Sequence, residues 1–468
     1  MKSKPFTLCI LMLLFLKGNS QDVFFTTGFK ISEITSDRVV IWTRLCGQAL
    51  PNSITHQRRS EVFRHPIQFD ENQPIDKMDG GVKGINGFVR FILKDSHGNK
   101  KISPWKPATS KHDFCVFHVF EGLKNQHTYQ LIIEGKKDTE GMINTDSGYF
   151  KTSPKPNERA PLLLTTSSCQ YFWSFDDSIN GFKIYNEMSK LHPDLFVQTG
   201  DFVYYDKPGP MADQAEKARH KWHAMNAWPY IRLFFRHTPI YLLKDDHDLL
   251  ADDVHSASKP FGKLTYSEGL EIWKENVPLL DKPYRTITWG KDIQFWLMEG
   301  REFRSDNTSA DDGTKTIWGE EQKNWLIKSV QNSKATFKII ISPTPIIGPD
   351  RASKADNHAN KAFQKEGDWV RTFLQKENMI VINGDRHWQY VSQDIPSGVM
   401  EFGSGPVSDF HAQGWPPEEI RPEHKFLRVA GGFLSLSMEY KAKEPYLTFI
   451  HYDVNGKVVH TEIIKKTK

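Results

Sequence analysis

Residues 195–206 read LFVQTGDFVYYD, an apolar run that halts at Gly200 and is followed at once by Asp201 and Tyr204. A short apolar run bounded by turn signals predicts a buried strand, so the carboxylate and the phenol share one turn at its carboxyl end. In open α/β sheets ligands gather at such ends, where loops converge on a rigid support. Three further stretches repeat the pattern: LLLTTSSCQ (162–170) stops at Cys169, IYLLKDDHD (240–248) at Asp246 and His247, and MIVINGDRHW (379–388) at Asp385 and His387. The recurrence predicts one site built from four strand ends.

Between these runs lie helical patterns over residues 179–191, 213–235, 320–330 and 360–376, with another apolar run at 339–341. Strands alternating with helices predict a layered α/β domain. The end of the chain, GGFLSLSMEY (431–440) and YLTFIHYDVNGKVVHTEII (446–464), returns to strands with an Asn455-Gly456 hairpin turn and is expected to complete that domain's sheet. Upstream, TSPKPNERAP (152–161) resists helix and strand through Pro154, Pro156 and Pro161 and reads as a linker. Before it, RVVIWTRL, GFVRFILKD, HDFCVFHVF and HTYQLIIEG alternate apolar and polar residues, which predicts an antiparallel β-sandwich. Leu123 and Tyr129 stand as in the tyrosine corner of immunoglobulin-like or fibronectin-type domains. At about 150 residues per domain, the chain divides into an amino-terminal sandwich (22–152) and a carboxy-terminal α/β domain (157–468).

The opening MKSKPFTLCILMLLFLKGNSQ has two lysines, an apolar core and small residues up to Ser20, the form of a secretory signal peptide (1–20). Its apolar core is too short to span a bilayer that needs roughly 20 residues, so the expected location is periplasmic or secreted. Without Lys2, Lys4 and Lys17 the formal charge of +4 falls to 4 − 3 = +1, which argues against a nucleic-acid or membrane partner. Removing Cys9 leaves Cys46, Cys115 and Cys169, an odd number for an exported chain. Cys46 and Cys115, both in the first domain, are the expected disulfide, and Cys169 the spare thiol.

The side chains at the strand ends suit metal ions. A carboxylate such as Asp201 can bridge two cations, a phenolate such as Tyr204 needs a strong Lewis acid, typically ferric iron, and Asp385 with His387 suits a mixed metal pair. Cys169 would by default be an inert buried thiol; beside these groups it reads as a thiolate ligand. Residues 244–253, KDDHDLLADD, hold five carboxylates that repel one another unless cations neutralise them, although such runs are usually solvated. His247 in that knot is a candidate proton donor to a leaving group.

In this order, SSCQ, QTGDFVYYD, KDDHD, EGREFRS, TIWGEEQKNWL, SPTPIIGPDR and NGDRHW, together with TTGFKISEITSDRVVIWTRL near the start, resemble the PhoD-like alkaline phosphatase D family of the metallophosphoesterase superfamily. The resemblance runs almost end to end. It implies a metallophosphoesterase-type αββα domain, Fe3+ on Cys169, Asp201, Tyr204 and His387, and Ca2+ sharing Asp201 and using Asp385. The family's further calcium ligand is an asparagine; counting forward from the Asp-Asp-His motif lands here on Asp252, which leaves the choice between Asp246 and Asp252 open. The implied activity is hydrolysis of small-molecule phosphate monoesters; in it metal-activated hydroxide would attack phosphorus, His247 is the candidate acid or phosphate contact, and Arg219 and Arg304 are candidate phosphate-binding cations because a guanidinium matches phosphate oxygens two at a time.

Other readings keep part of these residues. A phosphodiesterase or phospholipase-D-like enzyme would use the same site on a different ester. A cysteine hydrolase with Cys169 as nucleophile and His387 as base leaves Asp201, Tyr204 and the acidic knot unexplained. A non-catalytic exported protein would keep calcium only structurally and recognise a partner through the sandwich.

Overall fold

A computed structural model describes residues 23–465; the expected signal peptide lies outside the described residues. Among them, no helix is long and apolar enough to cross a membrane.

The core is two facing sheets between two layers of helices. Strands Leu162–Ser167, Leu195–Thr199 and Ile240–Leu243 run parallel in a nine-stranded sheet, and Ile293–Leu297, Phe337–Ser342, Met379–Asn383 and Met400–Ser404 run parallel in a seven-stranded one. The two-residue period of each strand divides its side chains between layers. Leu195, Val197 and Leu243 share one hydrophobic cluster with Phe295, Ile339, Ile341 and Ile382 of the facing sheet. Phe196, Ile240 and Leu242 point the other way, into a cluster with Tyr185, Trp222 and Phe234 of the outer helices. Trp296, Ile340 and Val381 do the same on the far side, against Leu326, Val370 and Leu374. Phe402 and Phe449 stack across the sheet interface with centroids 3.9 Å apart, and burying one such ring contributes about 2–3 kcal/mol.

The helices follow the expected pattern with local corrections. Residues 213–235 break into Ala215–Asn226 and Pro229–Phe235, because Pro229 lacks the N–H that a continuous helix needs and instead opens the second one. The first helix starts at Lys183; Asp177 accepts the main-chain N–H groups of Ile179 and Asn180, and Asp176 that of Lys183, which hold the preceding residues in a turn.

The amino-terminal part has the expected antiparallel strands, but they are divided between two sheets, one of which belongs to the rest of the chain. Gly87–Lys94, Thr128–Lys136 and Asn144–Lys151 form their own sheet. Phe29–Ser32, Val39–Arg44 and Cys115–Phe120 instead continue the nine-stranded sheet, with Ser32 opposite Ile240 in parallel pairing. The strands Gly432–Lys441, Glu444–Asp453 and Val458–Lys465 complete that sheet at its other edge. Tyr129 ties down its loop as its motif predicts, its hydroxyl accepting the Lys124 N–H at 3.0 Å. The expected disulfide is absent: Cys46, Cys115 and Cys169 are all free. The Cys46 thiol faces Thr27 and the Arg44 guanidinium, whereas that of Cys115 turns to the Asp113 carbonyl.

Candidate metal centre

Four parallel strands end at Ser167, Thr199, Leu243 and Asn383, and two residues beyond each stand Cys169, Asp201, Asp245 and Asp385. Cys169, Asp201 and Asp385 adopt left-handed backbone, with φ of +53°, +59° and +66°. Non-glycine residues seldom do so, at about 1–3 kcal/mol each, and persist where the surroundings over-determine them. Here the loops hold one another. Cys169 N donates to Gly200 O at 3.2 Å and Gln170 N to Asp201 O at 2.7 Å. Asp201 N donates to Asp248 Oδ2 at 2.8 Å, and Asp385 N to Ser168 Oγ at 3.1 Å. Gly200 has no substitute in this arrangement: its φ is +109°, and a Cβ there would lie 2.7 Å from that of Asp245.

The convergence expected of Cys169, Asp201, Tyr204 and His387 is present. Asp201 Oδ2 accepts from Tyr204 Oη at 3.0 Å and from Cys169 Sγ at 3.6 Å, and His387 Nε2 lies 3.3 Å from Tyr204 Oη. One ligand atom each from Cys169, Asp201 and His387 falls within 4.8 Å of the others. Burial pushes the Cys169 thiol and the Tyr204 phenol well above their usual pKa ranges, Asp201 adding to both, and pushes His387 well below its own. The S–H of Cys169 and the O–H of Tyr204 thus both point at one buried carboxylate oxygen, while the other, Asp201 Oδ1, has no partner. The donor set of thiolate, phenolate, carboxylate and imidazole fits a cation in the place of those protons.

On the other side of Asp201 the residue that sequence reasoning missed is Asp245. Oxygens of Asp201, Asp245 and Asp385 gather within 4.8 Å, and those of Asp201 and Asp246 do so with a nitrogen of His247. Asp245 is fully buried and its Oδ2 is unpartnered. Its carboxyl is pushed up to about 6 by burial, against the opposing pull of Arg301, which binds its other oxygen. A strand-end offset of two residues, shared with the other three positions, was the available signal. Arg301 also reaches Asp246 Oδ2 at 3.4 Å. Asp252 stays at the rim, its side chain 61% exposed and its carboxylate 3.7 Å from Lys354 Nζ; it groups with Asp246 and Asp253 and not with Asp201 and Asp385.

His247 lies against the centre, its ring stacked on Tyr204 with centroids 4.3 Å apart. Its Nδ1 is 2.7 Å from Asp206 Oδ1, so the carboxylate orients the ring and fixes the proton on that nitrogen. Arg304 is buried nearby, with Nη2 donating to Asn307 Oδ1 and the Asp356 carbonyl while Nε and Nη1 are unpartnered. Arg219 is not brought to the site. It forms a two-pronged pair with Glu275 at 2.7 and 2.8 Å, clamping Ala215–Asn226 to the helix Tyr266–Asn276.

Comparison with known proteins agrees with this geometry. The chain is 20% identical over 426 residues to alkaline phosphatase D of Bacillus subtilis (strain 168), an alignment covering 79% of this chain and 65% of that relative. The chain therefore spans just under two thirds of the length of the curated relative it matches. The solved structure of PhoD superposes with a TM-score of 0.71 at 17% identity, over 96% of this chain and 91% of that one. A purple acid phosphatase from yellow lupin (Lupinus luteus) seeds superposes with a TM-score of 0.64 at 11% identity, over 96% and 75%. At these identities the two structures establish a shared fold. The model of the PhoD-like phosphatase family matches residues 163–431, which contain all four strand ends and more than half of the chain, and the chain belongs to that family.

Proposed function

We propose that this protein is an exported, metal-dependent phosphatase of alkaline phosphatase D type that hydrolyses phosphate monoesters. The observation that carries the reading is Asp201, which meets a thiol, a phenol and an imidazole on one side and two further carboxylates on the other. In this reading Cys169, Asp201, Tyr204 and His387 hold Fe3+, and Asp201, Asp385 and Asp245, with Asp246 beside them, hold Ca2+. Hard oxygen ligands suit calcium, and phenolate with thiolate suits ferric iron. Such a pair, when bound, supplies Lewis acidity that lowers the pKa of water and neutralises phosphoryl oxygens.

The chain's own residues perform the remaining work. Asp248 fixes the Asp201 turn by accepting three main-chain N–H groups, those of Asp201, Val203 and Asp245. Asp206 holds a proton on His247 Nδ1 and leaves Nε2 to carry one to the departing alcohol oxygen. The unpartnered N–H groups of Arg304 supply positive potential towards Asp245 and Asp253.

The test is hydrolysis of an aryl phosphate before and after chelation, with metal-to-chain ratios measured on the same sample. Loss of turnover on chelation, recovery on adding back iron and calcium, and inactivity of folded Asp201→Asn support the reading. Turnover indifferent to chelator removes it.

A further inference from the structure

Between the strands Val39–Arg44 and Gly87–Lys94 the chain runs through residues 45–86 with a single short 3-10 turn, Ile75–Lys77. Irregular connections longer than about 12–15 residues are uncommon in compact folds and are usually functional. This one leaves the amino-terminal part and places its tip on the metal centre. Phe63 stands edge-on to His387 and His411, with ring centroids 5.9 and 4.6 Å apart.

The tip is pinned from several directions. Phe63 N donates to Phe410 O at 3.0 Å, and the Arg64 guanidinium lies 3.3 Å from the Phe410 ring centre. His65 Nδ1 is 3.0 Å from Tyr171 Oη, and Glu71 accepts the main-chain N–H groups of Gly209 and Met211, in the loop that follows Tyr204. Phe63 and Arg64 both have positive φ, +69° and +26°, strained positions that these attachments hold in place.

A phenyl ring beside a reaction centre can stack on a substrate or exclude one. Here the surroundings decide. Lys207 Nζ lies over the Phe63 ring, His65 runs nearly parallel to it at 5.9 Å, and Tyr171 and His411 meet it edge-on. These contacts and the main-chain bond to Phe410 hold the ring, half-buried, in one orientation, where it fills space next to His387.

We infer that Phe63 is a specificity wall contributed by the amino-terminal part, which narrows the site beside His387 and disfavours phosphate diesters whose second ester group is bulky. The inference rests on the phosphatase reading and names a preference within it. A monoester presents only phosphoryl oxygens on that side, whereas a diester must place a second organic group there.

The experiment compares wild type, Phe63→Ala and Phe63→Trp on a mono-aryl phosphate and a bis-aryl phosphate, with metal content, thermal unfolding midpoint and inhibition by inorganic phosphate measured alongside. Phe63→Ala is expected to raise the diester-to-monoester ratio of kcat/KM at least fivefold, and Phe63→Trp to lower it. Inhibition by phosphate, which is small enough to pass the wall, stays within twofold. An unchanged ratio in both variants overturns the wall. Loss of metal, or equal loss on both esters with weaker phosphate inhibition, overturns it in favour of mere support of His387. Wild type inactive on both esters overturns the phosphatase reading beneath it.

Discussion

Asp248 accepts the main-chain N–H of Asp201 at 2.8 Å, from a carboxylate that also caps its own turn at Asp245. The bond joins two strand-end loops across the site and holds Asp201 in its left-handed conformation. Groups that orient metal ligands typically contribute 10–100-fold in metal affinity. Asp248→Ala is therefore expected to weaken metal retention by about that factor. It also leaves buried N–H groups unpaired at about 1–3 kcal/mol each, so the unfolding midpoint falls. Titrating metal into stripped protein measures the first effect, and thermal unfolding the second.

Phenolate and thiolate bound to ferric iron absorb visible light. Purified protein is expected to be coloured, Tyr204→Phe to lose or strongly shift the band, and Cys169→Ser to shift it. Both variants are expected to keep the fold, because Tyr204→Phe retains the ring that packs among the helix-side aromatics and Cys169→Ser barely changes volume. An absorption spectrum of iron-loaded protein decides; colourless, fully active enzyme rules out iron.

Asp245 and Asp252 make opposite forecasts. Asp245→Asn removes a buried carboxylate from the group around Asp201 and Asp385 and should abolish retention of the second cation and most of the turnover. Asp252→Asn alters a side chain 61% exposed at the rim and should change turnover less than about threefold, given the small worth of solvated charges. Metal-to-chain ratios of the two variants separate the roles.

Glu366 gives a pH dependence distant from the metal ligands. Burial alone would raise its carboxyl, but hydrogen bonds from His358 Nε2, Ile317 N and Thr316 Oγ1 win and hold it at about 2, against an ordinary 4.5. A carboxylate depressed in the folded state stabilises it above the unfolded pKa and loses that contribution as pH falls through the folded one. The shift corresponds to about 3 kcal/mol. Glu366→Gln should be less stable than wild type by that order at pH 7, and the gap should close below pH 4.5 towards about 2. Denaturant unfolding across that range reads it directly.

Arg219→Ala tests the expected role of Arg219 as a phosphate-binding cation. Its pair with Glu275 is mostly buried, the two side chains 27% and 10% exposed, so its loss leaves the Glu275 carboxylate unpartnered at about 1–3 kcal/mol and should leave KM for a phosphate ester unchanged. A large rise in KM would return Arg219 to the site.

What was legible in the sequence followed from strand periodicity. Apolar runs announced the buried strands, and side chains immediately beyond them could only lie at their carboxyl ends, which is why Cys169, Asp201, Tyr204, Asp385 and His387 were found together. Asp245 was masked by composition: it stands among five carboxylates in residues 244–253, and only its offset of two residues from the strand end, shared with Cys169, Asp201 and Asp385, sets it apart. Arg219 has its partner 56 residues away on another helix, a relation no local pattern encodes. The Cys46–Cys115 pairing failed because membership of one domain says nothing about where a thiol points. Phe63 had no signal, since an irregular segment carries no period.

The parallel pairing of Ser32 with Ile240 spans 208 residues and joins the beginning of the chain to the strand that leads directly into Asp245 and Asp248. During synthesis the amino-terminal hairpin therefore emerges long before its neighbour and must wait as an unpaired edge, exposed to the wrong partners. A carboxy-terminal half expressed alone would present the matching edge on the strand that carries the acidic wall. Cutting the chain within the proline-rich stretch 152–161 would thus yield two adhesive fragments, and the one that keeps every strand-end carboxylate would lack the Phe63 loop that packs against His387.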